Sequence, residues 1–174
     1  MWVFVVLILV SLESRWSEGC LEQERFALLQ LKPFFNSLHY LDNWVEGDLN
    51  SDCCQWDWRV ECNDTTGGVI SLYLSGTRGL DSEMGEWYLN ASLFSPFQQL
   101  QTLYLIRNGI AGCVENEGFD KLSTLSNLEA LYLSGNSFNS SILSSLNTLS
   151  SLKNLSLSYN KLNGIVDIQG NLYF

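Results

Sequence analysis

The stretches "LQTLYLIRN" (100–108), "LEALYLSGN" (128–136) and "LKNLSLSYN" (152–160) share one pattern, L-x-x-L-x-L-x-x-N. A fourth, "VISLYLSGT" (69–77), fits it with Val69 in the first place and Thr77 in the last. The copies begin 31, 28 and 24 residues apart, so the first two intervals carry insertions. In an extended chain alternate side chains point the same way, so each L-x-L reads as a short strand with its leucines inward. The asparagine has both donors and an acceptor with which to turn the chain by bonding backbone groups inside the coil. One such unit cannot bury its leucines alone, whereas stacked units share a continuous core. The fold class is therefore α/β, a solenoid whose strands line up as one curved parallel sheet.

With the leucines committed to that core, function is expected on the residues between them. Ser71, Thr102, Ala130 and Asn154 occupy one outward position of the repeat, and Tyr73, Tyr104 and Tyr132 occupy the next. Arg107 and Tyr159 stand just before the asparagines of their repeats. Tyr73, Tyr104, Arg107, Tyr132 and Tyr159 are the candidates for a concave binding face, because tyrosine supplies large amphipathic area at low entropic cost. The competing explanation is structural: tyrosine favours strands and packs against its cross-strand neighbours.

The remaining composition narrows the function. The 174 residues amount to one domain, with a formal net charge of −10 and nine lysines and arginines scattered singly, so no basic stripe exists to hold nucleic acid. No Ser/His/Asp grouping or phosphate-cradling glycine loop is present, and the acidic residues of "DSEMGEW" (81–87) read as a surface insertion, so no enzyme activity and no small-molecule cofactor are expected. "MWVFVVLILVSL" (1–12) is apolar but too short to span a bilayer, which takes roughly 20 residues. With Ser17 and Gly19 placed for cleavage before Cys20, residues 1–19 read as a signal peptide, and the remaining chain as secreted.

Export implies an oxidising compartment, and five cysteines are present: Cys20, Cys53, Cys54, Cys62 and Cys113. Neighbouring cysteines seldom bond to each other, because a disulfide wants Cα atoms about 4.4 to 6.8 Å apart and a trans peptide holds them at about 3.8 Å. Cys20 with Cys53 would close over the intervening helix, and Cys54 with Cys62 would close a short loop. Four cysteines nevertheless allow three pairings, and the sequence leaves them open. Zinc is disfavoured because the single histidine, His39, is isolated and no C-x₂-C spacing occurs. Cys113, left over, reads as a buried, inert thiol.

Ahead of the repeats, "EQERFALLQLK" (22–32), Trp44 and "DCCQWDWRVEC" (52–62) resemble the N-terminal cap of plant-type leucine-rich repeat proteins. Cap and repeats together are similar to the start of a plant receptor-like protein. The resemblance implies that the cap cysteines pair first with second and third with fourth. It divides the chain into a signal peptide (1–19), a helical, disulfide-stapled cap (20–65) and about four repeats (66–174), the last without a closing cap. Trp44, Trp56 and Trp58 are expected to help cover the leucines of the first coil. Two departures stand out. The usual C-C-x-W-x-G-V-x-C ending has Trp58 and Arg59 in place of glycine, with one extra residue. The tails "IAGCVE" (110–115) and "LNGIVD" (162–167) keep glycine but lack the usual proline, which should loosen the convex side without abolishing the strands. Pro33 is expected to kink or end the cap helix.

The functional implication is extracellular recognition of a protein or peptide in defence or developmental signalling, with a membrane co-receptor kinase as partner. Members of this family are anchored in the plasma membrane, whereas this chain, ending at "IVDIQGNLYF", reads as the front piece of one. The alternatives are a secreted inhibitor of a pathogen cell-wall enzyme and a non-functional fragment. Asn63, Asn90, Asn139 and Asn154 each begin an N-x-[ST] glycosylation sequon.

Overall fold

A computed structural model describes residues 20–47, 52–79 and 85–163. The proposed signal peptide, most of the acidic insertion and the last tail lie outside them. Among the described residues there are two sheets. The larger has five strands in the order β1 (Val60–Cys62), β2 (Val69–Tyr73), β4 (Thr102–Tyr104), β6 (Ala130–Tyr132) and β7 (Asn154–Ser156). The smaller pairs β3 (Trp87–Leu89) with β5 (Ile110–Cys113). Strands β2, β4, β6 and β7 come one from each repeat and run parallel in strict register, Leu72 beside Leu103, Leu103 beside Leu131 and Leu131 beside Leu155. The sheet is not wholly parallel, because β1 leaves the cap and pairs antiparallel with β2, a hairpin that covers the edge of the first repeat.

The leucines face inward as their alternation demands. Leu72, Leu74, Leu103, Leu105, Leu131 and Leu133 are fully buried, and Leu155 and Leu157 nearly so. Behind them Phe94, Phe97, Phe119 and Phe138 fill the return side of the coils, Phe119 and Phe138 meeting edge to face at 5.8 Å. Truncating one such leucine to alanine costs about 2–5 kcal/mol, so the stack is held by many equivalent contacts.

The asparagine ladder is built as the pattern demands. Asn136 donates from Nδ2 to the carbonyls of Leu105 and Leu133, both at 2.8 Å, and accepts at Oδ1 from the backbone N–H groups of Asn108 and Ile110. Asn108 donates to Leu74, and Asn160 donates to Leu133 and Leu157 while accepting from Phe138. Thr77 keeps only part of this, its hydroxyl donating to Leu74 at 2.7 Å.

The cap opens with α1 (Glu22–Phe35), whose buried residues Glu24, Ala27, Leu28, Leu31 and Phe35 recur at helical spacing. Pro33 lies in the last turn, and the helix ends two residues beyond it; Asn36 then accepts from the N–H of Leu41. Cys20 is bonded to Cys53 and Cys54 to Cys62, with Cα separations of 5.5 and 5.8 Å. The sulfurs of Cys20, Cys53 and Cys54 lie within 4.8 Å of one another, a cluster that the disulfides consume.

The convex side carries the smaller sheet. "IAGC" forms the ordered strand β5, parallel to β3, without the proline. Trp87 at the start of β3 anchors it: its ring stacks on Phe34, meets Phe35 edge to face at 5.4 Å, and its Nε1 donates to the carbonyl of Asn108. The guanidinium of Arg78 sits 4.8 Å from the ring centre. Aromatic packing from the cap helix therefore supports this side of the coils.

Candidate functional site

The outward positions of the larger sheet are not equivalent. Ser71 and Ala130, expected on the surface, are buried. The next column is the conspicuous one. Strict parallel register sets Tyr73, Tyr104 and Tyr132 side by side, and their rings stack almost parallel at centroid distances of 4.5 and 4.6 Å. Each ring covers a face of its neighbour, so part of every tyrosine's area is committed to this packing. Desolvation between the flanking rings pushes the Tyr104 hydroxyl above its ordinary pKa.

Sequence reasoning placed Trp58 over the end of the core. It is instead 71% exposed, and it continues the ladder, its ring 5.8 Å from Tyr73. On its other flank the Arg59 guanidinium lies 4.5 Å from the Trp58 centre and 5.4 Å from that of Tyr40. Arg59 is fixed by Asp57, which accepts from its backbone N–H at 2.7 Å and its Nη1 at 2.8 Å. The only signal in the sequence was the extra residue in "QWDWRVEC", which carries Trp58 past the cap and onto the face. Trp44 is fully buried, and Trp56 packs partly against the core.

At the other end the ladder gives way to serines. Ser156 follows Tyr132 in register, its hydroxyl 2.5 Å from that of Ser134, and Ser158 donates to Ser134 at 3.0 Å. Arg107 and Tyr159 are not part of the stack. They stand past the strand ends in one column with Gly76 and Gly135, and all four residues have positive φ, between 55° and 70°. Both side chains are exposed, Tyr159 to 89%.

The sequons are dispersed. Asn63 lies in the turn between β1 and β2, Asn90 follows β3 and Asn139 precedes α2 (Ile142–Leu146), whereas Asn154 is exposed on β7. In the first three, Oδ1 accepts from the N–H two residues on. Cys113 is half-buried, and desolvation pushes its thiol up to about 11, which keeps it protonated and unreactive at neutral pH.

The leucine rich repeat N-terminal domain family matches residues 21–63, and the leucine rich repeat family matches residues 127–149. Receptor-like protein 9a of Arabidopsis thaliana is 37% identical over 186 aligned residues, covering 98% of this chain and 19% of that protein. Cuscuta receptor 1 of Solanum lycopersicum is 40% identical over 144 residues, covering 80% of this chain and 12% of that protein. The chain thus spans at most about a fifth of the relatives it matches. Among solved structures, a plant ice-binding protein aligns with a TM-score of 0.54 at 27% identity, covering 82% of this chain and 50% of that one. A chain of the BIR3–SERK2 complex from Arabidopsis thaliana aligns with a TM-score of 0.55 at 25% identity, covering 81% and 84%. Stapled cap, registered repeats and near-complete alignment agree: the chain belongs to the leucine-rich repeat family, with the cap and first repeats of plant receptor-like proteins.

Proposed function

We propose that the chain is an extracellular recognition module, the part of a receptor-like ectodomain that meets a protein or peptide ligand, with a membrane co-receptor kinase as signalling partner. One observation carries this reading: the aromatic row Trp58–Tyr73–Tyr104–Tyr132 runs along one face of the larger sheet, its three tyrosines stacked on the neighbouring strands β2, β4 and β6 and Trp58 tilted against Tyr73 just ahead of β1. Rigid aromatic rows give contact area without ordering cost, and their hydroxyl edges supply polar contacts. Arg107 and Tyr159 support it, because each keeps a large side chain where glycine would be the least strained residue. An oxidising, extracellular setting is supported by the two cap disulfides, and the four sequons are proposed as glycan sites. A glycan on Asn154 would border the serine end of the ladder and leave its aromatic end open.

Panning a random peptide library against the secreted chain tests the reading. Selected peptides should lose at least about tenfold in affinity on Tyr104→Ala, a hot-spot-sized loss, and be unaffected by Tyr88→Ala on β3. Peptides that bind regardless of Tyr73, Tyr104 and Tyr132 would place recognition elsewhere and overturn it.

A further inference from the structure

The cap end of the ladder borders an open pocket of about 540 Å³ whose lining includes Trp58, Tyr73 and Val60. The two rings are tilted 49° to each other, a wedge rather than a closed stack. Glu61 and Asp64 line the same pocket, both exposed, and Glu61 accepts a hydrogen bond from the Tyr73 hydroxyl at 3.3 Å. No lysine or arginine is among its lining residues. The nearby cation, Arg59, is already neutralised by Asp57, and both side chains are largely buried.

Aromatic faces beside carboxylates select for an organic cation. The ring quadrupole attracts positive charge, the flat walls bury the apolar stem of a long side chain, and a carboxylate accepts a charge-assisted hydrogen bond from its head. The molecule supplies its own example within this cluster, where the Arg59 guanidinium rests over Trp58 and Tyr40. A divalent metal fits poorly, because calcium takes about six to eight oxygen ligands and aromatic carbon offers none. The chain's formal charge of −10 favours a basic partner at longer range as well.

We propose that this pocket receives an arginine or lysine side chain of the ligand that lies along the tyrosine ladder. The proposal rests on the concave face being the recognition surface and adds the chemistry of the ligand at one end of it.

Butylguanidinium and its neutral counterpart butylurea separate charge from shape. Titrated into the secreted chain and followed at the Trp58 indole resonance, butylguanidinium should give a saturable shift, with butylurea weaker by about fivefold or more, the range of a cation–π contact at a partly exposed site. The double substitution Glu61→Gln, Asp64→Gln, which removes both charges without adding a sequon, should weaken butylguanidinium binding by a similar factor, and raising salt should weaken it further. Both positions are exposed, and unchanged resonances of the buried Trp44 would report that the variant is folded. Equal binding of the two probes, no binding, or indifference to the double substitution would each overturn the proposal. The wider reading fails separately: if the pocket ignores butylguanidinium while panned peptides still depend on Tyr104, the ladder binds but its cap end is not basic-selective.

Discussion

Asn136 makes four buried hydrogen bonds and bridges two coils, while Thr77 at the equivalent place donates at 2.7 Å to a carbonyl of its own coil and reaches the next coil only through a long 3.5 Å contact to Oδ1 of Asn108. Replacing Asn136 by alanine leaves the Leu105 carbonyl and two N–H groups without these partners in a dry interior, while the Leu133 carbonyl keeps its bond from Asn160. The expected loss is about 3 kcal/mol or more, read by urea unfolding, since each unsatisfied buried group costs about 1–3 kcal/mol. The left-handed column gives the opposite sign. Arg107 has φ 55°, which a side chain disfavours, and an added Cβ at Gly135 would come within 2.8 Å of Cγ of Arg107. Arg107→Gly should therefore leave thermal stability unchanged or raise it by up to about 1 kcal/mol, while weakening peptides selected on the concave face. The asparagine column was legible because its residue type and spacing repeat. The burial of Ser71 and Ala130 was not, since nothing in a repeat pattern says how deeply neighbouring side chains cover an outward position.

Between elements, the contact that ties cap to solenoid is a carboxylate. Glu24 on α1 is fully buried, and one of its oxygens accepts from the N–H of Val69 at the start of β2 at 3.0 Å. Burial raises its pKa from 4.5 to about 7, against the lowering effect of the hydrogen bonds from Val69 and Leu21. The folded state thus prefers the protonated form. The resulting stability is fully present below about pH 4.5, falls as pH rises from there to about 7, and is level above, a change on the order of 3 kcal/mol. Thermal melts of wild type and Glu24→Gln across pH 4 to 8 should diverge over that window, because glutamine cannot ionise. A sequence shows Glu24 as one more first-turn acid, favourable to the helix dipole, and its partner lies 45 residues away. The smaller sheet was hidden for the same reason: Trp87 belongs to no repeat position, and its value comes from Phe34, Phe35 and Asn108.

For the whole molecule, stability grows coil by coil from an end that is stapled. The Cys20–Cys53 bridge spans 33 positions and the Cys54–Cys62 bridge spans 8. By chain entropy they contribute about 4 and about 2.5 kcal/mol. Cys20→Ser with Cys53→Ser should consequently lower the urea midpoint more than Cys54→Ser with Cys62→Ser, and both should act through the cap. Repeat architecture, cap and family were readable because they rest on local pattern. The proposed recognition face was only half readable, its tyrosines by register and its tryptophan not at all. The asparagine ladder also sets a timetable. The N–H groups of Asn108 and Ile110 are satisfied by Asn136, 28 and 26 residues later, and that of Phe138 by Asn160, 22 residues later. During synthesis a coil therefore stays provisional until its successor has left the ribosome, and the finished part of the nascent solenoid always trails the growing chain by one turn.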